Sequence, residues 1–202
     1  MLAEVEKNRS DVSYCPPPYH ICMRLFIGIP ISAAVTGELA AISARLRSRG
    51  DGLRWSAAES WHITLQFLGT TGPERYACTV ARLRELHLPP VSVRLEGIGF
   101  FDRAGIFYAG VHTTPELLAL QQCVTHSTAQ CGFLPEVRPY QPHITLARSK
   151  GDHKGLFALK AKVGRPPVFS RFTAEEFLLY ESLLAPSGSR YEVRERFPLV
   201  RP

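Results

Sequence analysis

The tetrapeptide His-Ile-Thr-Leu occurs twice, at residues 62–65 and 143–146, with the two histidines 81 residues apart. On uniform residue frequencies, a chosen tetrapeptide recurs by chance in a chain of this length on the order of once in a thousand. Both copies read as strand, where alternate side chains share a face. His62 and Thr64 therefore point one way and Ile63 and Leu65 the other, and His143 and Thr145 repeat that parity against Ile144 and Leu146. If the two strands line one cleft, two imidazoles and two hydroxyls converge in it, and the apolar partners fix the rotation of each strand. Imidazole titrates near neutral pH, so one ring can take a proton from water while the other gives one to a leaving oxygen. The threonine hydroxyls can donate hydrogen bonds to oxygens on which charge shifts. That set suits the opening of a cyclic phosphate and needs neither metal nor cofactor.

A single histidine in an apolar strand is more often structural than catalytic. The duplication, with threonine at the same offset, reverses that weight. A four-ligand zinc site would need two more convergent ligands, and none lies near either motif. His20, His87, His112, His126 and His153 have no paired context and read as structural or surface residues. By strict alternation Gln66 shares the face of His62 and Thr64 and could touch a ribose or phosphate. Phe67 could also stack a base, but it falls on the Ile63 and Leu65 side, where a residue is more often core. Tyr140, close before the second motif, could stack a base, and Trp61 reads as packing.

Regular elements must hold these strands. Leu25 to Ile29 reads as a buried strand, followed by a helix from Ser32 whose core face is Val35, Leu39, Ile42 and Leu46. Gly50 stops that helix. Trp61 to Leu68 is a strand, and Pro73 to Leu86 a helix with Tyr76, Val80 and Leu83 inward. Val91 to Phe101 and Ile106 to Val111 form a hairpin around Asp102-Arg103-Ala104-Gly105. Thr114-Pro115-Glu116 opens a helix carrying Leu117, Leu120 or Gln121, and Val124, which Gly132 ends. Tyr140 to Ala147 is a strand, and Asp152 to Ala161 a short helix. Val168 to Phe172, Glu176 to Leu184 and Tyr191 to Leu199 are the last strands, with a turn at 186–189. Hairpin-length links favour antiparallel pairing, so the class is α+β, with two related lobes that each donate one motif strand.

The 202 residues carry a formal net charge of +6, with 45% hydrophobic and 21% charged residues. This is a globular balance whose basic surface attracts phosphates and nucleic acid. No apolar run approaches the roughly 20 residues of a membrane helix. Residues 1–22 are polar and contain Pro16-Pro17-Pro18, so they read as a flexible extension, with a single domain over 23–202. The five cysteines, Cys15, Cys22, Cys78, Cys123 and Cys131, contain no C-x-x-C pair. A disulfide framework is not expected, and reduced core cysteines fit the cytoplasm. Nothing requires more than a monomer.

At these motifs the chain resembles the two-histidine (2H) phosphoesterase superfamily, whose signature is a pair of His-x-Thr-x motifs. Within it the chain is similar to the RNA 2',3'-cyclic phosphodiesterases, long called 2'-5' RNA ligases. The likeness runs from Met23 to Leu199. It includes Arg24 to Ile29, the block WHITLQFLG at 61–69, Gly97 to Phe101, PHITLAR at 142–148, Leu179-Tyr180-Glu181-Ser182, Tyr191 and Phe197-Pro198-Leu199. The resemblance implies two antiparallel sheet lobes with flanking helices around a central groove. It also implies metal-independent hydrolysis of an RNA 2',3'-cyclic phosphate end to a 2'-phosphomonoester. By analogy His62 is the acid that protonates O3' and His143 the base that activates water. Arg148 then clamps the phosphate, although strict alternation puts it on the core side with Ile144 and Leu146. Three other readings use the same residues or omit chemistry: 2'-5' RNA ligation, a non-catalytic RNA-end binding module, and a phosphodiesterase for a small cyclic nucleotide.

Overall fold

The computed structural model describes residues 22–201 except 152, 165–166 and 186–187. The proposed N-terminal extension, apart from Cys22, lies outside the described residues, as do the first two residues of the expected 186–189 turn. The first strand begins at Met23.

The fold is α+β, with two four-stranded antiparallel sheets. In the first, β1 (Met23–Pro30) lies between β3 (His62–Thr71) and β9 (Glu176–Ala185), and β10 (Gly188–Pro198) forms the far edge. In the second, β7 (His143–Ser149) lies between β2 (Leu53–Trp55) and β6 (Ile106–Val111), with β5 (Leu95–Phe101) outside β6. Each motif thus occupies one strand of its own sheet, and β3 and β7 approach each other. Ile27, Ile29, Ile63, Phe107, Ile144 and Leu146 belong to one continuous core, so both sheets are held by the same packing.

The helices follow local chemistry. Ser32 caps α1 (Ala33–Leu46), its hydroxyl accepting from the Val35 amide at 3.3 Å, and the buried face is Val35, Leu39, Ile42 and Leu46, as the periodicity requires. Thr114 caps α3 (Pro115–Ala129) through the Leu117 amide at 3.1 Å, with Leu120 rather than Gln121 turned inward. The other two helices are α2 (Pro73–Arg84) and α4 (Lys154–Lys162).

Some expectations fail in register. The single strand read over Val91 to Phe101 is two strands. β4 (Val91–Val93) breaks off at Arg94 to pair with β8 (Phe172–Ala174), while β5 pairs with β6. The pairing of β5 skips at Gly97, whose φ of 115° few other residues adopt. The strand expected from Val168 starts at Phe172, and β2 was not anticipated.

The cysteine reading is also corrected. Cys78 of α2 and Cys131, just past α3, form a disulfide, with Cα atoms 5.8 Å apart, and Cys22 is disulfide-bonded as well. The two positions are 53 residues apart in the chain, and only the packing of α2 on α3 brings them together. Cys123 is a free thiol. No helix among the described residues is long and apolar enough to cross a membrane.

Candidate active site

Both motif strands carry a β-bulge at the same place. Along β1, Gly28 pairs with Thr64 and Ile27 with Gln66, leaving Leu65 as the extra residue. Along β6, Tyr108 pairs with Thr145 and Phe107 with Ala147, leaving Leu146 extra. A bulge puts two consecutive side chains on one side of the sheet and reverses parity beyond it. Leu65 and Gln66 are accordingly both buried, as are Leu146 and Ala147. The next residues, Phe67 and Arg148, turn out to the side of the histidines and are exposed.

That shift corrects two expectations and resolves a third. Gln66 does not share the face of His62. Its side chain is buried, and its Oε1 accepts from the Thr128 hydroxyl of α3 at 2.7 Å. Phe67 is not core but 71% exposed on the groove side. Arg148, which alternation placed inward, is turned to the groove by the bulge at Leu146.

The histidines are held alike. His62 Nδ1 donates to the Ser60 carbonyl at 2.7 Å, and His143 Nδ1 donates to the Gln141 carbonyl at 2.8 Å. A carbonyl can only accept, so Nδ1 carries the proton in each neutral ring and Nε2 keeps its lone pair. His62 Nε2 accepts from the Thr64 hydroxyl at 3.1 Å. Burial pulls the His62 pKa down to about 4, against the Ser60 carbonyl, with the positive charges of His143 and Arg148 adding to the fall. Burial, and then Arg148, also lower His143, against the Gln141 carbonyl.

Aromatic rings hold both imidazoles in place. Phe26 lies 4.5 Å from His62, centroid to centroid, while Tyr191 meets it edge-on at 5.2 Å and Tyr180 lies at 5.6 Å. Phe101 and Tyr108 meet His143 edge-on at 5.0 and 5.5 Å. The sequence reading gave these rings no role, since they come from β1, β5, β6, β9 and β10, although Phe26, Phe101, Tyr180 and Tyr191 lie in the segments that carry the resemblance. Gly28 supplies the remaining clearance. A Cβ there would stand 2.9 Å from the Ile63 carbonyl oxygen and 3.3 Å from His62 Cδ2. Gly28→Ala is expected to displace the imidazole and lower kcat/KM by roughly tenfold or more. Steady-state kinetics on a folded variant check this, and activity within twofold of wild type would show that the clearance does not matter.

His62, His143, Thr64, Thr145 and Arg148 line one open groove of roughly 1360 Å³. Its other walls include Tyr191, the β5–β6 corner at Phe101 to Ala104, α3 at Gln121 and Gln122, and the segment 134–141. Thr145 makes no side-chain hydrogen bond, and Arg148 no ion pair, among the described residues. Arg54 stands opposite Arg148 in the β2–β7 pairing, and burial together with Arg54 lowers the Arg148 pKa. A cation so placed is matched by an anion brought in from solution. Tyr140 is half-buried, and its hydroxyl donates to the Thr64 carbonyl at 3.0 Å. It thereby ties the segment before the second motif to the first motif strand. Among the described residues, no three His, Cys, Asp or Glu side chains converge as metal ligands.

Comparison with known proteins adds a family to this geometry. Residues 30–184 match the model of the 2'-5' RNA ligase superfamily. A protein of Thermotoga maritima named RNA 2',3'-cyclic phosphodiesterase is 30% identical over 176 residues, covering 85% of this chain and 92% of the relative. One of the same name from Escherichia coli is 29% identical, over 72% of this chain and 79% of its own. Among solved structures, E. coli LigT in complex with 3'-AMP superposes with a TM-score of 0.76 at 26% identity, over 89% of this chain and 99% of that one. TT0787 of Thermus thermophilus superposes with a TM-score of 0.73 at 27% identity, over 88% and 98%.

Proposed function

The chain belongs to the 2'-5' RNA ligase superfamily, and from that premise we propose that it hydrolyses RNA 2',3'-cyclic phosphate ends to 2'-phosphomonoesters, with His62 and His143 as the acid–base pair. The observation that carries this reading is the matched pair of imidazoles. Each is pinned through Nδ1 and turns its Nε2 lone pair to one groove, His62 Nε2 meeting the Thr64 hydroxyl, and that groove also holds the Arg148 guanidinium, which has no ion pair among the described residues.

The reaction follows from those groups. Arg148, with Thr64 and Thr145, binds the phosphate oxygens and takes up charge as the phosphorus becomes five-coordinate. One neutral Nε2 takes a proton from water as it attacks phosphorus. The opposite ring, protonated, gives its proton to O3' as the P–O3' bond breaks. By analogy His143 activates the water and His62 protonates O3'. In the free protein burial pulls His62 down to about 4, so the proton reaches His62 once the phosphate anion is bound. No step requires a metal ion.

The pH dependence follows with a definite sign. The productive form carries one proton on the pair. It is lost when both rings are neutral at high pH and when both are charged at low pH. Both pKa values are lowered, that of His62 to about 4. The profile of kcat/KM is therefore expected to be a bell centred on the acid side of neutrality. A bound phosphate anion raises both rings, so the profile of kcat lies at higher pH. Initial rates on a short cyclic-phosphate RNA measure both profiles. A rate still climbing on the alkaline side of neutrality would contradict the two-histidine assignment.

Both histidines come from one chain, so we propose a monomer. We place its activity in the cytoplasm with RNA as partner, although the Cys78–Cys131 bond removes the argument from reduced cysteines.

A further inference from the structure

Between Ala129 and His143 the chain forms neither α-helix nor strand, and this strap supplies one wall of the groove. Its two ends are held differently. At the far end the Tyr140 hydroxyl donates to the Thr64 carbonyl, and the Val111 amide donates to the Pro142 carbonyl at 3.1 Å. Those bonds tie it to both motif sheets and keep Gln141, which pins His143, in place. At the near end the ties run to α2. Cys131 is bonded to Cys78, and Arg75 donates through Nε to the Cys131 carbonyl at 3.2 Å and through Nη2 to the Gly132 carbonyl at 2.7 Å. The same guanidinium lies 3.7 Å from the centre of the Phe133 ring. Between the two ends the side chains of residues 134–139 are exposed, and the ion pair there, Glu136 with Arg138, stays within the strap. The position of this wall therefore depends on its near anchor, whose covalent part exists in one redox state and not in the other.

We propose that the Cys78–Cys131 disulfide is a redox-sensitive tie that sets the groove wall at 132–139, and that its reduction weakens binding of the RNA end while leaving the chemistry intact. The inference rests on the proposed function for the identity of that substrate. The reductant is a dithiol. Its thiolate attacks Sγ of Cys78, which is half-buried, whereas Cys131 is 8% exposed. Cys131 leaves as a thiolate and takes a proton. The second thiolate of the reductant then closes its own disulfide and releases Cys78, so two electrons and two protons have passed to the protein. A disulfide oxidant reverses the exchange. In the reduced protein the near end keeps the Arg75 bonds, one of them exposed, and the buried Phe133 ring. The wall then samples more positions, and the apparent affinity falls with the fraction that can accept substrate. His62, His143 and Arg148 stand on strands whose pairing involves neither α2 nor the strap, so the bound complex reacts as before.

The test compares oxidised wild type, wild type reduced with dithiothreitol, and the double variant Cys78→Ala/Cys131→Ala. Reduction is expected to raise KM for a short RNA 2',3'-cyclic phosphate by about threefold to tenfold and to leave kcat within about twofold. It is also expected to speed amide exchange at Gly132 and Phe133, whose bonds to the Ala129 and Thr128 carbonyls lie beside the tie. The double variant is expected to match reduced wild type and to ignore dithiothreitol, which separates this bond from that of Cys22. If the double variant does not fold, reduction and reoxidation of wild type carry the comparison. A lower melting temperature with KM unmoved would mark a purely stabilising bond and overturn the proposal. A fall in kcat as large as the rise in KM, or sensitivity to dithiothreitol retained by the double variant, would overturn it as well. Failure of wild type to turn over any cyclic phosphate would overturn the hydrolysis reading instead. Amide exchange at Gly132 and Phe133, with calorimetric binding of an RNA ending in a 2'-phosphate, decides the tie even then.

Discussion

His62→Ala and His143→Ala are each expected to lower the rate of cyclic-phosphate hydrolysis by about 10²- to 10⁴-fold, the usual weight of a positioned acid or base. Neither ring is interchangeable with the other. Each is fixed by its own backbone carbonyl, Ser60 or Gln141, and each faces the groove from a different sheet. In the proposed reaction the two groups act in one transition state, so the double variant is expected to be little slower than either single one. Loss of the His62 ring opens space beside Phe26, Tyr180 and Tyr191, so circular dichroism and thermal melting should accompany the kinetics. A folded single variant that retains more than a tenth of wild-type activity would remove that histidine from the mechanism.

Arg148→Ala is expected to reduce kcat/KM by about tenfold to a hundredfold, in line with the loss of a charge-assisted hydrogen bond to phosphate. The stability of the protein should not fall with it. No carboxylate among the described residues pairs with Arg148, and removing its charge relieves Arg54 across the β2–β7 pairing. The pH profile carries a second signature. Arg148 lowers both histidines, so its removal raises both and moves the bell to higher pH. Arg148→Lys should keep part of the charge effect and lose the planar two-point grip on phosphate. A loss of stability as large as the loss of activity, with an unmoved pH profile, would mark Arg148 as structural.

The strands that carry the histidines were easier to read from the sequence than the aim of the side chains beyond them. The doubled His-Ile-Thr-Leu placed two histidines and two threonines correctly, because alternation holds over the first four residues of each strand. It failed from the fifth residue on. The bulges at Leu65 and Leu146 arise from pairing with β1 and β6, far away in sequence, and one extra residue reverses every side chain after it. Gln66 was therefore read as groove-facing and Phe67 as buried, while the structure has them the other way round. The same reversal supplied the missing route for Arg148. Helix starts were legible where a capping hydroxyl announced them, as at Ser32 and Thr114. The Cys78–Cys131 bond was not legible, since neither its spacing nor its composition marks it. The rings around the histidines come from five strands, and although Phe26, Phe101, Tyr180 and Tyr191 fall in the segments that carry the resemblance, no local pattern shows that they pack on the imidazoles.

The central claim is the reaction itself. Its most direct test is phosphorus NMR of a short RNA ending in a 2',3'-cyclic phosphate, incubated with wild-type protein and excess EDTA. The expected result is conversion to a 2'-phosphomonoester at a rate that the chelator leaves unchanged. A 3'-phosphate product, a joined oligonucleotide, or no turnover while the RNA still binds would contradict it.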